Sequence, residues 1–485
     1  MNTDCGIDAM NFSLPRLFLP IDDLAEARGI EIDKLRFGLG IESMSVCDVD
    51  EDVVTLAAEA TWKLIQKEKL KPHEIGRIYL GTESAVDAAK PSTTYVLKIL
   101  ETKLEVIYGP RSLSHCDVLD MTFACVGAVD AMQNSLDWVR HNKDRKAIVI
   151  ASDVAKYAKG SPGEYTQGAG AVAILISHSP RILTLDSDFG TSVESTSDFF
   201  KPRRVFDKSQ LLMDASKLIG KKISKPDAIK YLDSISEGFW GTPEVYIDQF
   251  LEYPIFDGPY SNDCYVARVN EALFRYEKTT GHNILNDWNG MVFHLPYAFQ
   301  GRRMWPEISI DQYKKQGRLN EIETSLGKLE SEVGDRKLLA KTWSKTDDFK
   351  KYVKKHIAPG ELASQHIGNM YTGSIFMSLL STLLVYQKEG INRGNNRIGF
   401  LSYGSGSKSK VFSGVLQGSF KNQMQGIDLF EVINSRVKID FKTYDDLHQR
   451  KLDVPISRAD NFKLKSIGVE DVKLGYRNYQ IEQSQ

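Results

Sequence analysis

Cys125 has the side chain and the local setting of an acyl-transfer nucleophile. It lies in TFACVGAVDAM, between a predicted strand and a predicted helix, where Gly127 keeps the turn open. A thiol at a helix N-terminus faces oriented N–H groups that favour the thiolate and can stabilise an oxyanion during acyl transfer. A buried structural cysteine is the alternative, and the local pattern alone does not decide between the two.

Two further residues could supply acid–base chemistry. Glu83 follows the predicted strand IGRIYLG, at the carboxyl edge where α/β sheets place their sites. His294 ends the extended stretch GMVFH, and Pro296 then stops regular strand pairing, so the imidazole could polarise a carbonyl group in a pocket. Taken singly, Glu83 could be a turn carboxylate and His294 a satisfied core histidine.

The elements that must position these residues alternate between helix and strand. Residues 52–70 and 92–104 place apolar side chains at helical spacing. Short apolar runs at 75–81, 118–124, 146–152 and 168–177 are typical of buried strands. The second half of the chain repeats this order more weakly, with a long apolar helix predicted over 368–387. Such alternation indicates layered α/β halves.

We therefore predict two domains. The first, 1–180, carries Glu83 and Cys125, and the second, 181–485, carries His294. Two stretches in the second domain differ in character. The segment near 187–287 is rich in aromatic and turn residues, and the segment near 307–357 is dense in charge at helical spacing, which is typical of a solvated helical face.

Composition narrows the possible partners. The 485 residues carry 62 lysines and arginines against 64 aspartates and glutamates, a net charge of −2 that argues against nucleic acid. Five scattered cysteines without a CxxC pair indicate reduced thiols, and no HExxH motif marks a metal site. With no secretory leader and no apolar stretch of membrane-spanning length, we expect a cytoplasmic protein without a membrane partner.

Several motifs, in order along the chain, resemble the 3-hydroxy-3-methylglutaryl-CoA (HMG-CoA) synthase family of the thiolase superfamily. GTESAVDAAKPS (81–92) resembles the segment with that family's general base, and GMVFHLPY (291–298) resembles the segment with its catalytic histidine. FAC (123–125) falls where the family's nucleophile would lie. Five further segments resemble segments of the family in the same order along the chain. They are ASDVAKYA with Asp153, YTQGAGAVAIL with Thr166, DFFKP with Asp198, GNMYT with Asn369 and FLSYGSGS with Ser405.

The resemblance implies a fold and an oligomeric state. The fold would be thiolase-like, with two similar αβ halves, each a mixed five-stranded sheet around central helices, in αβαβα layers. Asn369 and Ser405 would then belong to the C-terminal half with His294. Members of this superfamily generally form dimers, so a homodimer is expected.

The resemblance also implies a reaction. Cys125 would take an acetyl group from acetyl-CoA, Glu83 would remove a methyl proton, and the enolate would attack acetoacetyl-CoA while His294 polarises its ketone. Hydrolysis would then release HMG-CoA, a mevalonate-pathway metabolite, without a metal or other cofactor. The substrate-binding residues would be Asp153, Thr166, Asp198, Asn369, Ser405 and Arg303.

The sequence departs from the family pattern where CoA would be held. Val126 follows the nucleophile where an aromatic residue is common, and Phe299 and Arg303 stand where many members have lysines. Arg303 could still clamp a phosphate, and KPRR (201–204) could add charge or be a solvated turn. An acyl carrier protein in place of CoA, as in polyketide β-branching, is therefore the main alternative. A ketoacyl synthase and a non-catalytic scaffold are more distant ones.

Overall fold

The computed structural model describes residues 4–242, 244–390, 396–459, 461–469 and 473–482. The strands in these ranges are β1 (Cys5–Ser13), β2 (Leu17–Pro20), β3 (Ser43–Val46), β4 (Ile75–Gly81), β5 (Asp117–Met121), β6 (Lys146–Val154), β7 (Ala169–His178), β8 (Leu183–Leu185), β9 (Gly190–Val193), β10 (Phe199–Phe200), β11 (Arg203–Asp207), β12 (Tyr246–Phe250), β13 (Ile255–Phe256), β14 (Trp288–Phe293), β15 (Arg397–Gly404), β16 (Lys408–Leu416), β17 (Val437–Lys438), β18 (Phe462–Ile467) and β19 (Arg477–Ile481).

The α-helices of the same ranges are α1 (Ile21–Arg28), α2 (Val53–Glu68), α3 (Ser92–Tyr108), α4 (Gly127–Arg140), α5 (Lys208–Leu218), α6 (Lys225–Asp233), α7 (Gly238–Gly241), α8 (Gly258–Thr280), α9 (Ile284–Asp287), α10 (Gln300–Lys315), α11 (Leu319–Leu326), α12 (Glu330–Val333), α13 (Arg336–Trp343), α14 (Asp347–His356), α15 (Ala358–Ile367), α16 (Ser374–Lys388), α17 (Phe420–Gln423), α18 (Leu429–Ser435) and α19 (Phe441–His448). A π-helical turn covers Lys34–Leu39, and 3₁₀ turns cover Pro72–Glu74, Glu164–Thr166 and Tyr371–Gly373.

The central strands form two sets of five, joined by β8. In the N-terminal set the order is β5-β4-β6-β7-β1, with β4 parallel to β5 and β6 and with β7 antiparallel to its neighbours. In the C-terminal set β14 is parallel to β15, and β16 is antiparallel to β15, β8 and β9. Because β8 pairs with both β1 and β16, the two sets are continuous. The predicted mixed five-stranded sets are both present, and they join edge to edge as one ten-stranded mixed sheet rather than forming two separate sheets.

Helices cover the strands in layers. On one face of the N-terminal set, α2 and α3 pack in a hydrophobic cluster with residues of β4, β6 and β7. On the other face, α4 and α16 share a cluster with strands of both sets, so they form the central layer. Helices α8, α10, α13 and α14 pack against β14, β15 and β16 in a third cluster. This arrangement is the predicted αβαβα layering.

The helix predicted over 92–104 continues to Tyr108 as α3. Two other predicted elements begin or end at a different residue beside the candidate site. The strand predicted over 118–124 ends at Met121, because the chain turns at Ala124, whose φ is +33°, before α4 starts. The helix predicted over 368–387 starts only at Ser374, after Gly368 with φ +83° and a 3₁₀ turn. Both differences lie where the chain bends to present the candidate site residues.

The charge-rich segment 307–357 is less solvated than its composition suggested. It lies within α10 to α14, and its apolar face buries Leu339, Trp343, Phe349 and Val353 in the third cluster. Its many charged residues lie on the other faces of these helices. Among the described residues, no helix has the length and apolar character needed to cross a membrane.

Candidate active site

Glu83 lies two residues past the end of β4, in a closely packed corner. Gly81 is required there, because a Cβ at this position would lie 2.2 Å from the backbone N of Ala128 in α4. The side chain of Glu83 is only 5% exposed, and Nζ of Lys201 lies 3.3 Å from its Oε1 as an ion pair. Burial raises the pKa of Glu83 to about 7, with Lys201 acting against burial and Asp153 adding to it. Glu83 can therefore exchange a proton near neutral pH.

Asp153, near the end of β6, holds the loop that carries Glu83. Its Oδ1 accepts hydrogen bonds from the backbone N–H of Glu83 at 2.9 Å and from the Thr82 hydroxyl at 2.8 Å. Its Oδ2 accepts from the N–H of Thr372 at 3.1 Å, which ties the loop to the turn before α16. The side chain is fully buried, and burial raises its pKa to about 6 despite these bonds. Asp153 positions the loop rather than facing the cavity.

Cys125 lies at the predicted junction between β5 and α4. It is 7% exposed and packs against Tyr157, Phe199 and Tyr371. Burial raises its pKa well above the ordinary thiol value, and the charges of Glu83 and Asp153 raise it further. This differs from the expectation of a thiolate favoured by the helix N-terminus, because desolvation and two carboxylates outweigh that effect. Cys125 and Glu83 are nonetheless close enough to interact electrostatically.

His294 follows β14 and is fixed through its backbone. Its N–H donates to the carbonyl of Leu401 at 3.1 Å, and its own carbonyl accepts from the Tyr265 hydroxyl at 2.8 Å. The residue is 2% exposed, and burial lowers the pKa of its imidazole to about 3. Nδ1 is buried without a hydrogen-bond partner among the described residues. A neutral imidazole in this place can donate a hydrogen bond through its N–H to the oxygen of a bound carbonyl group.

Asp198 and Ser405 meet on the C-terminal side of the site. The fully buried Asp198 accepts hydrogen bonds from Tyr403 at 2.8 Å and from the Gly406 N–H at 2.9 Å. Burial alone would raise the pKa of Asp198, but its hydrogen bonds lower it overall. Ser261 bridges the pair, with its Oγ 2.9 Å from Asp198 and 3.3 Å from the Ser405 hydroxyl. Asp198 thus anchors the turn that presents Ser405.

Asn369 and Thr166 lie side by side, with polar groups of both engaged within the protein. The Asn369 N–H donates to the carbonyl of Thr166 at 2.8 Å, and Asn369 Oδ1 accepts from the N–H of Tyr371 at 2.8 Å. The Thr166 hydroxyl donates to the carbonyl of Gly163 at 2.8 Å. Both residues therefore shape the wall next to Tyr371.

Arg303 stands apart from the other candidates. Its side chain is exposed, donates to the carbonyl of Gly38 at 3.1 Å and lies 5.7 Å from the ring of Tyr297. The half-buried ring of Phe299 packs closely against Gly40, and its centroid lies 3.9 Å from the Arg302 guanidinium. Of the candidate residues, only Glu83 and Ser405 are among the described residues that line the cavity beside Glu83, so Arg303, Cys125 and His294 lie outside that lining.

A cavity of about 1140 Å³ opens beside Glu83, and Ala124, Lys201 and Ser405 also line it. Three other cations line it, and each is bound to a carboxylate. Lys156 and Arg450 both pair with Glu252, at 3.2 and 2.9 Å, and Arg477 pairs with Asp52 at 2.7 Å. The described wall therefore carries more acidic than basic side chains, because Asp48, Glu51, Asp87 and Asp453 line it besides these paired carboxylates.

Sequence reasoning missed two kinds of site residue. Lys201 was considered only as part of a charge cluster for phosphate, but it faces Glu83, while Arg203 pairs with Asp248 at the surface. Tyr157 and Tyr371, with ring centroids 6.2 Å apart, form an aromatic wall around Cys125. DFFKP, ASDVAKYA and GNMYT held these residues, but no sequence spacing shows which side chains meet across more than a hundred positions.

The described residues contain no group of three His, Cys, Asp or Glu side chains that could hold a metal ion. The layered sheets, with a cysteine between a strand and a helix and with a glutamate and a histidine at strand ends, define a thiolase-like protein. The model of the hydroxymethylglutaryl-coenzyme A synthase N terminal family matches residues 1–180, and the C terminal model matches 245–468. The chain belongs to the HMG-CoA synthase family.

Relatives of this family span almost the whole chain. The hydroxymethylglutaryl-CoA synthase of Haloferax volcanii is 29% identical over 465 residues, covering 92% of this chain and 91% of that protein. The Enterococcus faecalis enzyme of the same name is 26% identical over 475 residues, covering 98% and 99%.

Solved structures have the same fold. An HMG-CoA synthase complexed with CoA superposes with a TM-score of 0.70 at 25% identity, covering 99% of this chain and 100% of that one. The HMG synthase of the curacin biosynthetic pathway reaches 0.72 at 19% identity, with the same coverage, and that likeness shows the fold alone.

Proposed function

We propose that the protein is an HMG-CoA synthase that condenses acetyl-CoA with acetoacetyl-CoA through an acetylated Cys125. The observation that carries this proposal is the corner that holds Cys125 and Glu83, where the charge of the buried Glu83 carboxyl group raises the pKa of the buried Cys125 thiol. A carboxyl group with a pKa of about 7 is suited to move a proton from carbon at neutral pH.

The first step is acyl transfer. The sulfur of Cys125 attacks the carbonyl carbon of acetyl-CoA, the bond to the CoA sulfur breaks, and CoA leaves as a thiol. Because burial raises the pKa of Cys125, the thiol must lose its proton during this attack rather than beforehand. The acetyl group then forms a thioester beside Glu83, in the aromatic setting of Tyr157 and Tyr371.

The second step forms the carbon–carbon bond. The carboxylate of Glu83 takes a proton from the acetyl methyl group, and the resulting enolate attacks the ketone carbon of acetoacetyl-CoA. A neutral His294 donates a hydrogen bond to that ketone oxygen as it gains negative charge. The resulting alkoxide takes up a proton to become the 3-hydroxyl group, and Glu83 gives up the proton that it removed. Water then cleaves the thioester to Cys125, which regains its thiol, and HMG-CoA is released. Asp153, Asp198, Asn369, Thr166 and Ser405 keep these groups in place.

One assay tests the reaction. The protein is mixed with acetyl-CoA and acetoacetyl-CoA, release of CoA is followed, and the product is identified by mass spectrometry. We expect HMG-CoA and one equivalent of free CoA per turnover. Acetylation of the protein without any condensation product would show that the chain transfers acyl groups but is not a synthase.

We further propose a cytoplasmic homodimer that supplies the mevalonate pathway of isoprenoid synthesis. Support for a dimer comes from β5, which lies at one end of the strand order, with Leu119 40% exposed. An edge strand with exposed apolar residues favours pairing with another strand. Sedimentation of the parent and of Leu119→Lys tests this: a dimer that becomes monomeric on substitution supports it, and a monomeric parent contradicts it.

A carrier-protein substrate is the second candidate. The observation that favours it is the lack of a free cation among the described residues of the cavity wall, where Lys156, Arg450 and Arg477 are all paired. CoA brings phosphates that need such cations, whereas a carrier protein brings its own surface. Turnover of acetoacetyl carrier protein with negligible turnover of acetoacetyl-CoA would establish this function instead.

A further inference from the structure

Lys201 forms an ion pair with the carboxylate of Glu83, and the proposed reaction gives it no role. Its Nζ lies 3.3 Å from Glu83 Oε1 and 3.5 Å from the Glu83 carbonyl oxygen. The ammonium group also lies 5.0 Å from the ring centroid of Tyr371 and 5.9 Å from that of Phe199. Its side chain is 21% exposed and lines the cavity. Lys201 is therefore fixed against the site by ionic and cation–π contacts.

The other groups around Glu83 favour its neutral form or carry no positive charge. Asp153, on β6, adds a second carboxylate whose charge raises the pKa of Glu83. Cys125, before α4, is a thiol kept neutral by burial. Tyr157 and Tyr371 are phenols whose pKa values burial raises. Lys201 is thus the one cation that acts on Glu83 among the described residues around it.

We propose that Lys201 is a positioning residue for proton abstraction: its ammonium group holds the Glu83 carboxylate charged and aimed at the cavity. This inference rests on the proposed role of Glu83 as the base. A buried carboxyl group without a partner takes up a proton, and a protonated Glu83 cannot accept one from the acetyl methyl group.

The ion pair has a geometry suited to this role. Neither oxygen of the Glu83 carboxylate accepts a well-oriented hydrogen bond among the described residues, and the ammonium group of Lys201, 3.3 Å from Oε1, is the contact that favours its charged form. A base fixed by several strong hydrogen bonds would be a weaker acceptor, because those bonds stabilise its charged form. A single partly exposed ammonium keeps the carboxylate ionised and leaves its buried oxygens without another hydrogen-bond partner among the described residues, in a residue that lines the cavity.

The test is the pH profile of condensation in full-length Lys201→Met, with acetylation of Cys125 measured separately by mass spectrometry. In a plot of kcat against pH, the acidic limb is the range over which the rate rises as Glu83 loses its proton. Loss of an opposite charge at this distance should move that limb upward by about 1–3 pH units. Starting from a pKa of about 7 for Glu83, the rate at pH 7 then falls about 5-fold or more. We expect the rate to recover at higher pH and acetylation to persist, which a purely structural role would not produce.

Matched variants complete the test. Lys201→Arg keeps the positive charge, so the acidic limb should stay at its parental position. Lys156→Met removes a different cation of the cavity wall, one paired with Glu252, and should leave the limb unmoved. If Lys201→Met does not fold, Lys201→Gln gives the same measurement. An unmoved limb in a folded, acetylating variant overturns the proposal for Lys201. Condensation by Glu83→Gln at the parental rate would instead overturn the role of Glu83 itself, and with it the proposed function.

Discussion

Glu83 and His294 occupy similar places in the two halves of the molecule, yet burial gives them different chemistry. Each follows a parallel strand, β4 or β14, and each is almost fully buried. Burial favours the neutral form of both, raising the pKa of Glu83 to about 7 and lowering that of His294 to about 3. Only Glu83 has a charged partner, Lys201, to oppose this effect.

The comparison shows how one physical effect produces two functions. In the N-terminal half, burial is opposed by a counter-charge, which leaves a carboxyl group that gains and loses a proton near neutral pH. In the C-terminal half, burial acts alone and leaves an imidazole that stays neutral and can only polarise. The first suits a base and the second suits a hydrogen-bond donor to a carbonyl group.

Removing the nucleophile should have the largest effect, because both halves act on the acyl group that it carries. We expect Cys125→Ala to lose on the order of 10⁵-fold or more in condensation rate, as removal of a covalent nucleophile typically does. Mass spectrometry after mixing the parent with acetyl-CoA should find the adduct on the peptide holding Cys125. An adduct on Cys264, the buried cysteine of α8, would place the chemistry elsewhere.

Glu83→Ala should affect one step only. We expect it to acetylate Cys125 but to condense about 10²–10⁴-fold more slowly, because proton abstraction follows acyl transfer. In the parent, condensation should rise with pH through about 7 as Glu83 loses its proton, and this limb should disappear in the variant. Mass spectrometry and the pH profile of kcat measure the two parts. Unchanged condensation would remove Glu83 from the mechanism.

His294→Ala should slow condensation while leaving the acidic limb where it is. Loss of one donor to a developing oxyanion typically costs about 10²–10³-fold. Because the pKa of His294 is about 3, the group does not titrate between pH 5 and 9, and its loss cannot move that limb. A limb that shifts in the histidine variant would mean that His294, not Glu83, titrates near neutral pH, and the contrast between the halves would fail.

Asp153→Asn should move the limb in the direction opposite to loss of Lys201. Removing the neighbouring negative charge favours ionisation of Glu83, so the limb should shift downward by up to about 1 pH unit. The new amide also meets the N–H of Thr372, which donated to Asp153 Oδ2, so the free energy of unfolding should fall by about 1–3 kcal/mol. Thermal unfolding and the pH profile measure the two effects. An upward shift would contradict the charge argument.

The sequence alone predicted many of the strands and helices that position this site, and little of the site's electrostatics. The strand before Glu83 was predicted over 75–81, where β4 lies, because its apolar run is short and bounded by turn residues. Glu83 and Cys125 were predicted as site residues from strand ends and ordered motifs, and their roles stay predictions. Lys201 and Tyr371 were not singled out, because tertiary packing, not spacing, brings them to Glu83 and Cys125.

Arg303→Ala should have the smallest effect and decides how CoA is held. Arg303 lies after His294 on α10, exposed and bound only lightly, to the Gly38 carbonyl and over the Tyr297 ring, so its guanidinium is available to a phosphate. An exposed contact of this kind should raise KM for acetoacetyl-CoA by about 3–10-fold and leave kcat unchanged, because it contributes equally in ground and transition states. Steady-state kinetics on acetoacetyl-CoA and on acetoacetyl carrier protein measure this.

If KM rises for the CoA form alone, Arg303 binds the nucleotide end of CoA. If neither KM changes, CoA is held without Arg303, and the cavity wall must supply its phosphate contacts.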